Sequence, residues 1–245
     1  MADYLLIDIS NSFTKLAFAT RRRISKPMRI ETPKFASALL KRFIRNRKID
    51  MFVVCSVVPK RNAVVRPAAK GAKILWLTPA IKLGVGIDYP NPKKIGADRL
   101  ANAAAVTALY GCPAIVVDFG TAVTFDIVSA QRRYIGGVIA PGLESMTNFL
   151  YQRTALLPKL SLKEPRSAVG RSTIEAMRAG AVIGYRGLVL EIIARIKAER
   201  FARQKVRVIA TGGYAGLIAA HLDEIDAVHP NLTLEGLRIV ANLNR

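Results

Sequence analysis

Leu5-Leu6-Ile7-Asp8-Ile9-Ser10-Asn11-Ser12 and Ile115-Val116-Val117-Asp118-Phe119-Gly120-Thr121-Ala122 repeat one pattern 110 residues apart. Each copy runs three aliphatics, an aspartate, a hydrophobe and then small or small polar residues. Aligned this way, Thr14 falls on Thr124, and both copies continue as strand-like sequence (Leu16-Ala17-Phe18; Ile127-Val128). A strand ending in Asp, a tight turn of small residues and a return strand make a hairpin whose turn backbone can approach a phosphate closely. The aspartate repels a phosphate, so its place beside the turn makes sense if it holds a cation, or a cation's water, that bridges to the phosphates. The alternative is that both segments are buried strands entering ordinary turns; the pairing of the copies favours the phosphate reading. The chain has no G-x-x-x-x-G-K-[ST] run and no G-x-G-x-x-G, and Gly84-Val85-Gly86 reads as a turn.

Further short motifs stand in a fixed order. Cys55-Ser56-Val57-Val58-Pro59 follows the first hairpin, then Tyr89-Pro90-Asn91-Pro92 and Gly96-Ala97-Asp98-Arg99. After the second hairpin come Gly136-Gly137-Val138-Ile139-Ala140-Pro141-Gly142, Thr154-Ala155-Leu156-Leu157-Pro158, Thr211-Gly212-Gly213 and Leu232-Thr233-Leu234-Glu235-Gly236-Leu237. In order and spacing, over nearly the whole chain, these resemble the type III pantothenate kinases, with D-x-G-N-[TS] at Asp8–Ser12 and D-x-G-T-A at Asp118–Ala122. The family pattern has Gly where this chain has Ser10. A positive φ or a close phosphate approach there would cost Ser something; alternatively its hydroxyl donates to a phosphate oxygen.

The resemblance implies an α/β fold of two similar lobes around a nucleotide cleft, of the actin, sugar kinase and Hsp70 ATPase type (ribonuclease H-like). It implies ATP-dependent phosphorylation of pantothenate, the first step of coenzyme A synthesis. The ATP contacts it assigns are Asp8, Ile9, Ser10, Asn11, Ser12, Phe13, Thr14 and Lys15 on one side, and Gly120 and Thr121 on the other. It assigns the adenosine to Gly212 and Gly213, where a plain strand-to-helix turn is the alternative. Asp118 resembles the residue that coordinates a monovalent cation, K⁺ or NH₄⁺, and Mg²⁺ arrives with ATP, mostly hydrated. Tyr89, Gly96, Ala97, Asp98, Arg99 and Thr173 form the pantothenate side, with Asp98 as the catalytic residue that accepts or orients the hydroxyl proton. Asp98 also sits where a helix N-cap is expected, and both roles remain open. Arg99 suits a carboxylate or phosphate because its guanidinium forms paired hydrogen bonds. The resemblance also implies a homodimer.

At 245 residues the chain is long enough for one large domain or two small ones. No apolar run approaches the roughly 18 residues of a membrane span, and Met1-Ala2-Asp3-Tyr4 lacks the features of a signal peptide. Two cysteines, Cys55 and Cys112, make no disulfide framework, and a reduced cytoplasm is the expected location. Lys and Arg number 38 against 17 Asp and Glu, a formal net charge of +21. Arg21-Arg22-Arg23 and Arg45-Asn46-Arg47-Lys48 are the densest groups. Such a surface attracts polyanions. Without interleaved aromatics or a DNA-reading motif, however, a solvated basic face is favoured over nucleic-acid binding. The competing function is a non-catalytic regulatory relative of the same fold that binds nucleic acid or a protein partner. Retention of Asp8, Asp98, Arg99, Asp118 and Thr121 argues against it.

The duplicated hairpin divides the chain into an expected N-terminal lobe, 1–110, with the first phosphate and pantothenate motifs, and a C-terminal lobe, 111–245, with the second phosphate motif and the Gly-Gly turn. Tyr4–Phe18 reads as a hairpin, 34–47 as a basic-faced helix, Met51–Val57 and Lys73–Leu77 as strands, and Asp98–Tyr110 as a helix ended by Gly111. Strands are expected at Ala114–Asp118 and Thr121–Ser129, a turn at Gly136-Gly137, and a helix from Pro141-Gly142 towards Gln152. Ser172-Thr173-Ile174-Glu175 has capping-box spacing. Gly184–Arg203 reads as a long amphipathic helix, and Val206–Ala210 as a strand.

Overall fold

The computed structural model describes residues 3–45, 47–202 and 204–245. Asn46, inside the expected 34–47 helix, and Arg203, the expected end of the long helix, lie outside the described residues. The chain forms two compact units: residues 1–111 with 132–135 and 231–245, and residues 112–131 with 136–230.

In the first unit, β1 (Tyr4–Ile9) is buried at every position, as a central strand covered on both faces must be. It pairs antiparallel with β2 (Phe13–Ala19), which pairs with β3 (Met28–Glu31). The helix α1 (Ser37–Ile44) follows; β4 (Met51–Ser56) then lies parallel to β1, and beyond the short α2 (Arg66–Ala69), β5 (Lys73–Trp76) pairs with β4. The sheet order is β3-β2-β1-β4-β5. α1 is shorter than expected because Thr32–Lys34, with Pro33 at its start, forms a separate 3₁₀ turn, and Arg45 takes φ 48°. After β6 (Gly86–Ile87) comes α3 (Ala97–Leu109), buried continuously from Leu100 to Thr107.

In the second unit, β7 (Ala114–Phe119) and β8 (Ala122–Val128) form the second hairpin. β9 (Arg133–Pro141, of which 133–135 count with the first unit), α4 (Leu143–Arg153), α5 (Thr173–Arg200), β10 (Arg207–Gly212), α6 (Ala215–Ala219) and β11 (Ala227–Val228) follow. β10 lies parallel to β7, giving the order β9-β8-β7-β10-β11, with the short β6 added beyond β9. Those five strands repeat β3-β2-β1-β4-β5 element for element, so the duplication extends from the hairpin to the whole sheet. The last helix, α7 (Leu232–Leu243), belongs to the first unit and packs on α3. Its Gly236 abuts the Ala101 carbonyl with no room for a Cβ, and Thr233 Oγ1 lies 2.9 Å from Asn102 Oδ1.

Three local expectations are corrected. Gly136-Gly137 is not a turn but the middle of β9, where Gly136 bends the strand with φ 127° while the ladder continues. The capping box and the long amphipathic segment belong to one helix of 28 residues, α5, whose buried stripe is Ala179, Val182, Tyr185, Val189, Ile193 and Ile196. The N-cap of α3 is Gly96, not Asp98, which occupies the first turn. Among the described residues no helix is long and apolar enough to cross a membrane.

Candidate active site

The first turn closes with Ser10 N–H donating to the Phe13 carbonyl at 3.2 Å. Asp8 is buried, and Ser10 Oγ donates to its Oδ1 at 3.0 Å. Ser10 is not among the residues with positive φ, so serine there carries no left-handed strain, and its hydroxyl is engaged by the aspartate. Thr32 anchors the turn from the side: its Oγ1 donates to the Ser10 carbonyl at 2.6 Å and its N–H to the Ser12 carbonyl at 3.0 Å. Thr14 Oγ1, also buried, lies 3.0 Å from Thr32 Oγ1. Asn11 and Ser12 at the tip are exposed.

The second turn is one residue shorter. Ile9 pairs with Thr14 and Asp8 with Lys15, whereas Asp118 pairs with Thr124. A one-residue shift exchanges strand faces. The sequence match of Thr14 with Thr124 is therefore not a match in register: Lys15 shares the face of Asp8, and Thr124 that of Asp118. Gly120 N–H donates to the Ala122 carbonyl at 3.1 Å. The Thr121 carbonyl accepts from Gly142 N–H at 3.1 Å and from Ser145 Oγ at 2.8 Å, so the start of α4 holds the turn.

Register also explains the next motifs. Cys55 and Ser56 sit opposite Asp8 and Ile9, and Thr211 and Gly212 sit opposite Asp118 and Phe119. Gly212 has φ 94°, and a Cβ there would lie 2.6 Å from Asp118 Oδ1 and from the Phe119 backbone. Only glycine lets β10 turn away this close to the aspartate. Gly213 is exposed, and a Cβ on it would meet nothing within 4 Å. Asp118 is half-buried. The missing side chain at Gly212 leaves the Asp118 carboxylate its space, and a carboxylate oxygen is a donor of the kind a hard cation takes. Among the described residues no three His, Cys, Asp or Glu side chains converge as a metal cluster.

In the Gly96-Ala97-Asp98-Arg99 motif, Asp98 Oδ1 accepts from Arg99 N–H at 2.8 Å. A Cβ at Gly96 would lie 2.5 Å from the same oxygen, so Gly96 leaves room for this carboxylate orientation. The residue that sequence reasoning missed is Tyr134, fully buried in β9. The Arg99 guanidinium lies 5.7 Å from its ring centroid, and Tyr89 meets the same ring edge-on at 6.1 Å. Pairing of Ile87 with Tyr134, and Asp88 N–H donating to the Tyr134 carbonyl at 2.8 Å, carry the Tyr89 loop there. Tyr134 follows no motif; only β6–β9 pairing reveals it. Thr173 is the exposed first residue of α5. Ser172 caps that helix, accepting from Glu175 N–H at 3.3 Å, while Glu175 Oε2 accepts from Arg171 N–H at 2.9 Å.

Two sheets with the same five-strand order, each with an aspartate hairpin at its centre, define the actin and sugar kinase class of fold. The chain is similar to a propionate kinase from Francisella tularensis (TM-score 0.56, 10% identity, covering 99% of this chain and 100% of that one). It is also similar to the activator of the 2-hydroxyisocaproyl-CoA dehydratase from Clostridium difficile with bound ADPNP (TM-score 0.54, 13% identity, 98% and 94%). Within that class, the chain belongs to the type III pantothenate kinase family, whose profile matches residues 4–195. It is 48% identical to a type III pantothenate kinase from Akkermansia muciniphila, covering 98% of this chain and 99% of that one.

Proposed function

We propose that the chain transfers the γ-phosphoryl group of ATP to the hydroxyl of pantothenate, forming 4′-phosphopantothenate, the first step of coenzyme A biosynthesis. The observation that carries this reading is the doubled aspartate hairpin in a chain of this family. Phosphoryl transfer depends on positioning and charge neutralisation more than on covalent chemistry. Asp8 to Lys15 and the Gly120–Thr121 backbone are assigned to the phosphates, and Gly212 and Gly213 to the adenosine. Asp98 takes or orients the hydroxyl proton. Arg99, braced on Tyr134, holds the substrate carboxylate through paired hydrogen bonds, with Tyr89, Gly96, Ala97 and Thr173 completing the pantothenate side. Asp118 is assigned the monovalent cation, K⁺ or NH₄⁺, and Mg²⁺ enters with ATP; both, when bound, neutralise phosphate charge.

A homodimer in the cytoplasm is part of the same proposal. It is supported by the exposed Met146, Phe149, Leu150 and Tyr151 on α4, a concentration of apolar surface that marks contact sites, and by a cysteine count of two, too few for a disulfide framework. The test is ADP release coupled to a reporter enzyme, with Mg·ATP and K⁺, with and without pantothenate. Release that depends on pantothenate supports the reading. Release indifferent to pantothenate, or found only with another hydroxy acid, overturns it.

A further inference from the structure

Two neighbouring side chains in the middle of α5 each grip a different segment of the second unit, the end of β9 and α6. Successive residues of an α-helix point about 100° apart, so one helix can serve two segments at once. Tyr185 is buried, and its hydroxyl donates to the Pro141 carbonyl at 3.0 Å. Its ring lies 6.4 Å, centroid to centroid, from that of Phe119. Phe119 directly precedes Gly120. Pro141 directly precedes Gly142, whose N–H donates to the Thr121 carbonyl at 3.1 Å. Tyr185 therefore touches both chain segments that hold the second phosphate turn.

Arg186 faces α6. Its Nη2 donates to the Leu217 carbonyl at 2.8 Å and its Nε to the Ile218 carbonyl at 3.3 Å. The Glu164 carboxylate grips the guanidinium at 2.9 and 2.6 Å, and this fork holds the Glu164 carboxyl below the usual range. Leu217 and Ile218 lie in α6, which begins two residues after Gly213. A lysine has one donor centre and cannot satisfy these acceptors in a plane.

We propose that Tyr185 and Arg186 are positioning residues for the nucleotide and divide the work: Tyr185 sets the phosphate turn, and Arg186 sets the adenosine-side turn. The division rests on the reading of Gly120–Thr121 and Gly212–Gly213 given above. Neither side chain is assigned a contact with substrate, so their effects must pass through the segments they hold.

The experiment titrates Mg·ATP and adenosine separately into the full-length parent, Tyr185→Phe and Arg186→Lys. Tyr185→Phe should weaken ATP about tenfold, the order expected when one part-buried carbonyl loses its donor, and leave adenosine within about twofold. Arg186→Lys should weaken both ligands by a similar factor. Glu164→Gln, a milder change at an exposed side chain, should weaken both in the same direction and serves if Arg186→Lys does not fold. A Tyr185→Phe variant that changes adenosine as much as ATP, or changes neither, overturns the division. So does an Arg186→Lys or Glu164→Gln variant that binds adenosine like the parent. Because binding does not require turnover, a parent that binds both ligands but leaves pantothenate unphosphorylated overturns the proposed function alone. A parent that binds no nucleotide overturns both.

Discussion

Gly212 and Gly213 are neighbours in one motif, yet replacing each by alanine should give opposite results. At Gly212 the added methyl would lie 2.6 Å from Asp118 Oδ1 and 2.6 Å from Phe119 backbone atoms, and φ is 94°. Holding an L-residue in the left-handed region costs about 1–2 kcal/mol, and forcing a methyl into packed surroundings costs about 1–3 kcal/mol more. The sum, about 2–5 kcal/mol, corresponds to a Tm fall of about 4–20 °C at roughly 2–4 °C per kcal/mol for a chain of this size. At Gly213 the methyl meets nothing within 4 Å, and alanine narrows the unfolded ensemble, so Tm should hold or rise slightly. Calorimetry on both variants, with KM for ATP alongside, measures this. Gly212→Ala should also raise that KM, because relief of the clash displaces the Asp118 carboxylate. Equal melting losses for the two variants, or a Gly212→Ala variant as stable as the parent, would refute the close-approach argument.

Asp98→Asn should lower kcat by roughly 10²–10⁴, the usual loss for a general base. Because Asp98 lies in the first turn of α3 and not at its N-cap, the variant should also lose about 0.3–1 kcal/mol of helix-dipole stabilisation, seen as a small fall in Tm. Asp118→Asn should abolish the stimulation of turnover by K⁺ or NH₄⁺; full parental activity in sodium-only buffer would contradict the cation assignment. Reversing the exposed Arg21, Arg22 and Arg23 to Glu should leave kcat unchanged and raise KM modestly in a salt-sensitive way, whereas tight sequence-specific DNA binding by the parent would contradict the solvated-face reading. Burial pushes the Tyr185 hydroxyl up to about 12. Between about pH 10, where the unfolded chain loses this proton, and 12, the folded state binds more protons than the unfolded, so stability falls as pH rises. The parent should lose its stability advantage over Tyr185→Phe across that window, as read by urea unfolding.

The two hairpins of the candidate site were legible because their signals are local. Asp8 and Asp118 stand at corresponding points of a visible repeat, and the strand–turn–strand pattern around them needs only short-range reasoning. Features set by tertiary pairing were not legible. Gly136-Gly137 carries a turn signal, but β9 lies between β8 and β6 in the sheet, and this pairing keeps the segment a strand. Gly180, Gly184 and Gly187 weaken helix propensity at about 1 kcal/mol each, which made α5 look divided; its buried stripe from Ala179 to Ile196 overrides them. The one-residue difference between the hairpins is hidden because the sequence copies align without a gap, and only cross-strand pairing shows that Lys15, not Thr14, faces with Asp8. Tyr134 is invisible for the same reason, its role depending on Ile87 pairing beside it.

The most direct test is the identity of the product. The parent, incubated with Mg·ATP, K⁺ and pantothenate, should convert the ATP γ-phosphate resonance in the ³¹P spectrum into that of a phosphomonoester, with mass spectrometry identifying phosphopantothenate. Asp98→Asn should form the same product far more slowly. Inorganic phosphate as the sole new resonance, at a rate unaffected by pantothenate, would contradict the assignment of this chain as a pantothenate kinase.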